Sequence, residues 1–215
     1  MSSLRILITG INGLIGSILR EALSASHAIY GLDREGPFSE RVAPVDVAGY
    51  QQVAQAVQRF SPLDRIIHLA GDPRVKASWE EVLGANIMGT RNVFEAAREF
   101  NISRVIFASS NHVTGAYLGF DPNEYLRTQP EPRIISTTNP IRPDSEYGVS
   151  KAFGEAIARF YYDRWGVEAI CLRIGAVIKD DSPVREPINR RIWLSHRDLV
   201  QLVEKILTAN IPFGI

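Results

Sequence analysis

LRILITGINGLIGSILREAL, residues 4–23, decides the fold. Leu4 to Thr9 is a short apolar run stopped by Gly10, the pattern of a strand buried on both faces. Leu14, Ile15, Ile18, Leu19, Ala22 and Leu23 then recur at helical spacing, which predicts a helix from Leu14 to Ala25. Between the two, Gly10, Gly13 and Gly16 form G-x-x-G-x-x-G. A tight turn without Cβ atoms lets the backbone approach a pyrophosphate and lets the helix pack closely on the strand. The helix N-terminus beyond it presents free N–H groups and the positive end of its dipole. Three glycines alone also suit an ordinary turn; their place between strand and helix favours a dinucleotide site, with Gly10, Asn12, Gly13, Leu14, Ile15 and Gly16 around it.

The same alternation continues outward. Strands are predicted over Ala28–Leu32, Arg65–Leu69, Arg104–Ala108 and Val167–Ile174. Helices are predicted over Tyr50–Phe60, Trp79–Phe100 with a break near Gly84 or Gly89, Ser145–Trp165 and Ser195–Ala209. Ser195 and Asp198 have the spacing of a capping box, with Asp in place of Glu. The expected fold class is α/β, a Rossmann-type doubly wound parallel sheet. Residues 1–175 would be the dinucleotide-binding and catalytic part, and 176–215 a small substrate-binding extension. Tyr117–Asp144 is rich in Pro, Thr, Asn and Ser and has no period, so a long loop, a candidate lid, is expected there.

Composition excludes several classes. The 24 basic residues balance the 24 acidic ones without a charge run, so neither nucleic acid nor an anionic membrane is an expected partner. No apolar run reaches the length of a membrane span. The N-terminus enters the first strand without a signal-peptide pattern, and Cys171 is the lone cysteine; both fit the cytoplasm. Four scattered histidines lack ligand spacing, so no metal is expected.

Asp33 closes the second strand, where a carboxylate can accept hydrogen bonds from a ribose and repel an extra phosphate; NAD is therefore expected over NADP, although Arg34 stands beside it. The alternative reading of Asp33 is a solvated strand end. Asp46-Val47 follows a third strand pattern and could meet the adenine, or Asp46 could cap a turn. Tyr147 and Lys151 lie one turn apart on one helix face, and a cation beside a phenol favours the phenolate, making a base usable near neutral pH. Tyr-x-x-x-Lys is also a common exposed helix pair. Ser109 and Ser110, however, follow a strand at the carboxyl edge of the sheet, where a hydroxyl can orient a substrate beside the tyrosine.

Taken together, Gly10/Gly13/Gly16, Asp33, His68-Leu-Ala-Gly71, Asn86, Phe107-Ala-Ser-Ser110 and Tyr147-x-x-x-Lys151 resemble the extended short-chain dehydrogenase/reductase family, in the family's order over nearly the whole chain. The resemblance implies Ser110, Tyr147 and Lys151 as the catalytic set, Leu69, Ala70 and Gly71 lining the cofactor, and Asn86 as a supporting polar residue. It also implies a homodimer paired through helices like Trp79–Phe100 and Ser145–Trp165. A narrower likeness, in Phe107-Ala-Ser-Ser-Asn-His112, Tyr147-Gly-Val-Ser-Lys-Ala-Phe-Gly-Glu155, Leu172-Arg-Ile-Gly175 and Trp193-Leu-Ser-His196, is to the uronate dehydrogenases within that family. This implies NAD-dependent oxidation of a hexuronate to an aldarolactone. Asn111 and His112 would be substrate contacts, and Arg190 or Arg191 the partner of the substrate carboxylate. Departures are Pro73 and Ala176, where those enzymes tend to have Ser, a long Ser110–Tyr147 spacing, and relatives that continue beyond Ile215.

Two other functions fit parts of the pattern. A nucleotide-sugar epimerase or dehydratase would need a larger C-terminal part and, for dehydratases, an Asp-Glu pair where Asn111-His112 stands. A non-catalytic NAD-binding sensor would not need Ser110, Tyr147 and Lys151. His68 is expected to be structural, Cys171 an inert core residue, Arg74 part of a solvated loop, and Arg173 either a site residue or a loop anchor.

Overall fold

The structure, a computed structural model, describes residues 3–119, 134–182 and 187–215. The middle of the Tyr117–Asp144 segment, and with it the candidate lid, lies outside the described residues.

Seven parallel strands form one sheet: β1 Arg5–Thr9, β2 Ala28–Asp33, β3 Val42–Pro44, β4 Arg65–His68, β5 Arg104–Ser110, β6 Glu168–Ile174 and β7 Phe213–Gly214. Their order is β3-β2-β1-β4-β5-β6-β7. The order reverses between β1 and β4, and there the connections leave to opposite sides and open a crevice at the carboxyl ends of the strands. Helices α1 (Leu14–Leu23), α2 (Tyr50–Phe60), α3 (Trp79–Val82), α4 (Gly89–Glu99), α5 (Glu146–Trp165), α6 (Pro187–Ile192) and α7 (His196–Thr208) accompany the sheet.

Strand residues point alternately to the two faces, and both faces are covered. Leu7, Ile66, Val105, Phe107 and Ala169 pack with Val53, Val57 and Phe60 of α2, Val93 and Phe94 of α4, and Ala158 and Tyr161 of α5. Ile6, Ile8, Ile67, Ile106 and Ile170 pack with Leu19 and Leu23 of α1 and Leu199, Val203 and Leu207 of α7. The residues after Ile174 therefore divide between a loop that returns to the crevice and a helix that covers the sheet. Arg104, buried at the start of β5, donates to the carbonyls of Ile206, Ala209 and Ile211 and pairs with Glu168, closing the C-terminal end of α7.

Several local features refine the sequence reading. β5 runs on to Ser110 and is buried at every position, so Ser109 and Ser110 end the strand rather than follow it. The break expected near Gly84 or Gly89 in the long Trp79–Phe100 stretch is a π-helical segment over Leu83–Met88, which carries the buried Asn86. Strand β7 and the 3-10 helix Asn111–Leu118 have no period long enough to be seen in sequence. At Ser195 the side chain accepts from Asp198 N, half of the expected box; the reciprocal pairing occurs instead at Ser78 and Glu81, ahead of α3.

Candidate active site

A cleft of about 1140 Å³ opens along the carboxyl edge of the sheet. Its dinucleotide end is made by the turn between β1 and α1. Gly10 has φ +72, and a Cβ there would lie 2.9 Å from Ala70 N. A Cβ on Gly16 would lie 2.2 Å from Gly10 O, so the helix meets the turn only because that residue is glycine. Gly13 caps α1 without a side chain, leaving N–H groups of the first turn toward the cleft.

Gly10, Asn12, Gly13, Leu14, Ile15, Gly16, Asp33, Asp46, Val47, Leu69, Ala70 and Gly71, the residues singled out in the sequence for a dinucleotide, all line this cleft. Asp33 accepts Asn12 N at 2.8 Å and Glu35 N at 3.2 Å, which fixes its carboxylate at the cleft wall. Asp46 accepts Ala48 N at 2.9 Å as a turn cap and also lines the cleft. These groups fit a dinucleotide: a backbone cradle that a Cβ would fill, a helix N-terminus for phosphate, and a carboxylate for ribose hydroxyls.

Behind the cradle lies a buried relay that sequence spacing did not reveal. Thr9 Oγ1 accepts Leu69 N and Ala70 N, each at 3.2 Å. Its own proton therefore goes to His68 Nδ1 at 2.7 Å, leaving His68 Nε2–H to donate to Thr90 Oγ1 at 3.1 Å and Thr90 to donate to Asn86 O at 2.5 Å. Only a neutral imidazole satisfies this chain. Burial, helped by the nearby Lys151 charge, pushes His68 down to about 3. His68 is structural, as expected.

Asn86 is the one predicted cofactor residue that does not line the cleft. Its Oδ1 accepts Asp72 N at 2.7 Å, and its Nδ2 donates to Asp72 O and Ser150 Oγ, each at 3.0 Å. It holds the Gly71–Asp72 segment against α5, the supporting role implied by the resemblance.

Ser110, Tyr147 and Lys151 converge on the far end of the same cleft. Ser110 comes from the end of β5, and Tyr147 and Lys151 from the first turns of α5, where Ser145 caps the helix by accepting Gly148 N at 3.1 Å. Lys151 Nζ sits 5.1 Å from the Phe107 ring centroid and 5.6 Å from that of Tyr147. The electrostatics correct the expectation for Tyr147. Burial raises its hydroxyl above the usual phenol range, the hydrogen bond with Ser110 partly offsets this, and the Asp72 charge adds to the rise. Lys151 shares the same desolvated surroundings, which bring its ammonium down to about 8. A cation one helical turn away does not outweigh burial.

Two further contacts, Ser109–Glu155–Arg173 and His112–Asp144, were missed because the partners lie far apart in sequence. Ser109 Oγ donates to Glu155 Oε1 at 2.6 Å, and Arg173 grips both Glu155 oxygens at 2.8 Å, tying β5, α5 and β6 together beneath the serine. Arg173 is thus an anchor. Arg74 lines the cleft rim and pairs with Asp72 and Glu81 while its side chain stays largely exposed, in keeping with the solvated loop expected for it. His112 pairs through Nδ1 with Asp144. Burial pushes Asp144 up, but the hydrogen bond and charge of His112, together with Ser145, hold its carboxyl below the usual range.

Asn111 and His112 line the cleft beside Ser110. Arg190 and Arg191, on α6, are exposed and do not line it, although Ile192 next to them does. Cys171 is buried, and burial raises its thiol, as suits an inert core residue. Among the described residues no group of acidic, Cys or His side chains could hold a metal, and no helix is long and apolar enough to cross a membrane.

Residues 6–179 match the NAD dependent epimerase/dehydratase family. Uronate dehydrogenase of Pseudomonas syringae pv. tomato is 40% identical over 212 residues, covering 94% of this chain and 69% of that enzyme. L-arabinose 1-dehydrogenase (NAD(P)(+)) of Haloferax volcanii is 36% identical over 97% of this chain and 84% of its own length. Among solved structures, a variant of uronate dehydrogenase from Agrobacterium tumefaciens complexed with NAD superposes with a TM-score of 0.81 at 32% identity, over 99% of this chain and 76% of that one.

Proposed function

The chain belongs to the NAD dependent epimerase/dehydratase family, and from that footing we propose that it is an NAD-dependent oxidoreductase that oxidises a hexuronate at C1 to the aldarolactone. The observation that carries this reading is the meeting of Ser110, Tyr147 and Lys151 at one end of a cleft whose other end is the Gly10–Gly16 cradle. The uronate dehydrogenases of 37–40% identity supply the substrate class.

Gly10, Gly13 and Gly16 with the α1 N-terminus would hold the pyrophosphate, Asp33 the adenosine ribose, Asp46 and Val47 the adenine side, and Leu69–Gly71 the middle of the dinucleotide. Bound NAD supplies the hydride acceptor. Ser110 hydrogen-bonds the C1 oxygen and fixes it beside Tyr147. Tyr147 takes the C1 hydroxyl proton as general base. Lys151, held in a dry pocket, lends positive charge to the phenolate that forms and can hydrogen-bond the nicotinamide ribose. Asn111 and His112 contact the sugar. The carboxylate partner is Arg190 or Arg191, carried toward the cleft rim by α6, whose Ile192 forms part of the wall. In this division of labour residues 1–175 hold cofactor and catalytic groups, and residues 176–215 add Ala176, Val177 and Ile192 to the substrate end.

The large exposed side chains Trp79, Leu83, Met88, Val149, Phe160 and Trp165 lie on α3, the π-helical segment and α5, and support pairing of two copies through these helices. A cytoplasmic location fits the single buried cysteine. The test is NADH formation, followed by absorbance, with galacturonate and glucuronate as substrates and NADP+ run in parallel. Uronate-dependent NADH production is the expected result; no reduction with either uronate, in protein that binds NAD, would overturn the substrate assignment.

A further inference from the structure

His112 and Asp144 form a built pair that the proton transfer above does not use. His112 is the second residue of the 3-10 helix after β5, lines the cleft, and donates its backbone N–H to Ser110 Oγ at 3.2 Å. Its ring stands edge-on to Tyr147, 5.8 Å between centroids. Asp144 does not line the cleft; it sits behind His112, with its two carboxylate oxygens 3.0 and 2.8 Å from Nδ1.

The surrounding backbone makes room for this contact from both sides. A Cβ on Gly115 would lie 1.8 Å from Asp144 Oδ2, and one on Gly148 would lie 2.5 Å from His112 O. Ala116 N donates to Arg142 O and Arg142 N to Val113 O, each at 2.9 Å, pinning the 3-10 helix to the segment that carries Asp144. The Asp144 carboxylate also accepts from Ser145 Oγ at 2.9 Å, the hydroxyl that caps α5. Both ring contacts to Asp144 are made through Nδ1, and the ring remains partly exposed, 26%, at the cleft.

We infer that Asp144 is a positioning residue: by accepting the Nδ1 proton of His112 it leaves Nε2 as a hydrogen-bond acceptor at the cleft, and so selects substrates that present a hydroxyl donor near the Ser110–Tyr147 pair. The choice follows from donor and acceptor counting. An ionised carboxylate only accepts, so a neutral ring facing it carries its proton on Nδ1. A polyhydroxylated sugar offers the donor that Nε2 then needs; a site built to bond such a hydroxyl discriminates strongly against an analogue lacking it. The substrate side of this inference rests on the sugar-oxidation reading; the tautomer does not.

The experiment therefore has two readouts. Imidazole nitrogen NMR above the titration range of histidine, with the His112 signal assigned by its loss in His112→Ala, is expected to show Nδ1–H in the wild type and in Asp144→Asn, whose amide oxygen still accepts. Asp144→Ala is expected to move the ring to Nε2–H. In kinetics with a uronate, Asp144→Ala should lower kcat/KM about 10–100-fold, the range for losing a charge-assisted hydrogen bond. NAD binding should be unchanged, Asp144→Asn should keep most of the activity, and the double variant with His112→Ala should be no worse than His112→Ala alone. Nε2–H in the wild type, which is decisive even where Asp144→Ala does not fold, or losses that simply add, would overturn the inference. Failure of the wild type to oxidise any uronate, with the Nδ1–H tautomer observed, would instead remove the proposed substrate and leave the positioning role standing.

Discussion

His68→Gln tests whether a neutral buried imidazole underlies the cofactor cradle. In the native chain burial holds His68 down to about 3, against an ordinary value of 6.5. Between those two pH values the unfolded chain binds a proton that the native chain does not, so stability is full above about pH 6.5 and falls as pH falls toward about 3. At 1.36 kcal/mol per pH unit, moving from pH 7.5 to 4.5 removes about 2–3 kcal/mol through this one residue, a large share of the about 5–15 kcal/mol stability of an ordinary domain. A glutamine in its place can accept from Thr9 and donate to Thr90 but does not titrate. The assay is urea unfolding at pH 7.5 and 4.5 for both proteins, with carboxylate titration common to the two. The wild type should lose about 2–3 kcal/mol more than the variant over that interval. Equal losses would refute the neutral relay Thr9–His68–Thr90.

Other perturbations separate the layers of the argument. Gly16→Ala places a Cβ 2.2 Å from a backbone carbonyl, so thermal unfolding should show a destabilisation of about 1–3 kcal/mol or more, and fluorescence titration a loss of NAD affinity. Arg104→Met leaves Glu168 unpaired and removes the donors from three carbonyls at the end of α7; denaturant unfolding should register a cost of about 3–5 kcal/mol. Tyr147→Phe should abolish uronate oxidation while NAD still binds, and a fully active variant in the absorbance assay would remove Tyr147 from the reaction.

Much of this molecule was legible in its linear sequence because the signals are short-range. A strand that ends at Thr9, a glycine at each tight point, and a helix from Leu14 are set by neighbours within a few residues. The Tyr147–Lys151 pair needs only helical spacing to share a face. Those features placed nearly every predicted cofactor and catalytic residue in one cleft. Asn86 was found by resemblance, but its task, holding Asp72 from behind Gly71, depends on a π-helical segment that hydrophobic periodicity does not encode.

What remained hidden depends on groups that meet only after folding. Thr9 finds His68 across two strands, Ser109 finds Glu155 on α5, Arg104 finds the end of α7, and His112 finds Asp144. None of these pairs has a local spacing that announces it. The state of Tyr147 shows the physical reason most directly. Sequence supplied a lysine one turn away and so a lowered phenol; the tertiary structure supplied burial, which raises the phenol and brings the lysine down as well. The sequence by itself determined which chemical groups share an element and which way that element faces. Their protonation, their partners and the pocket they enclose were decided by packing, because the cost of desolvating a charge exists only once the other elements have excluded water.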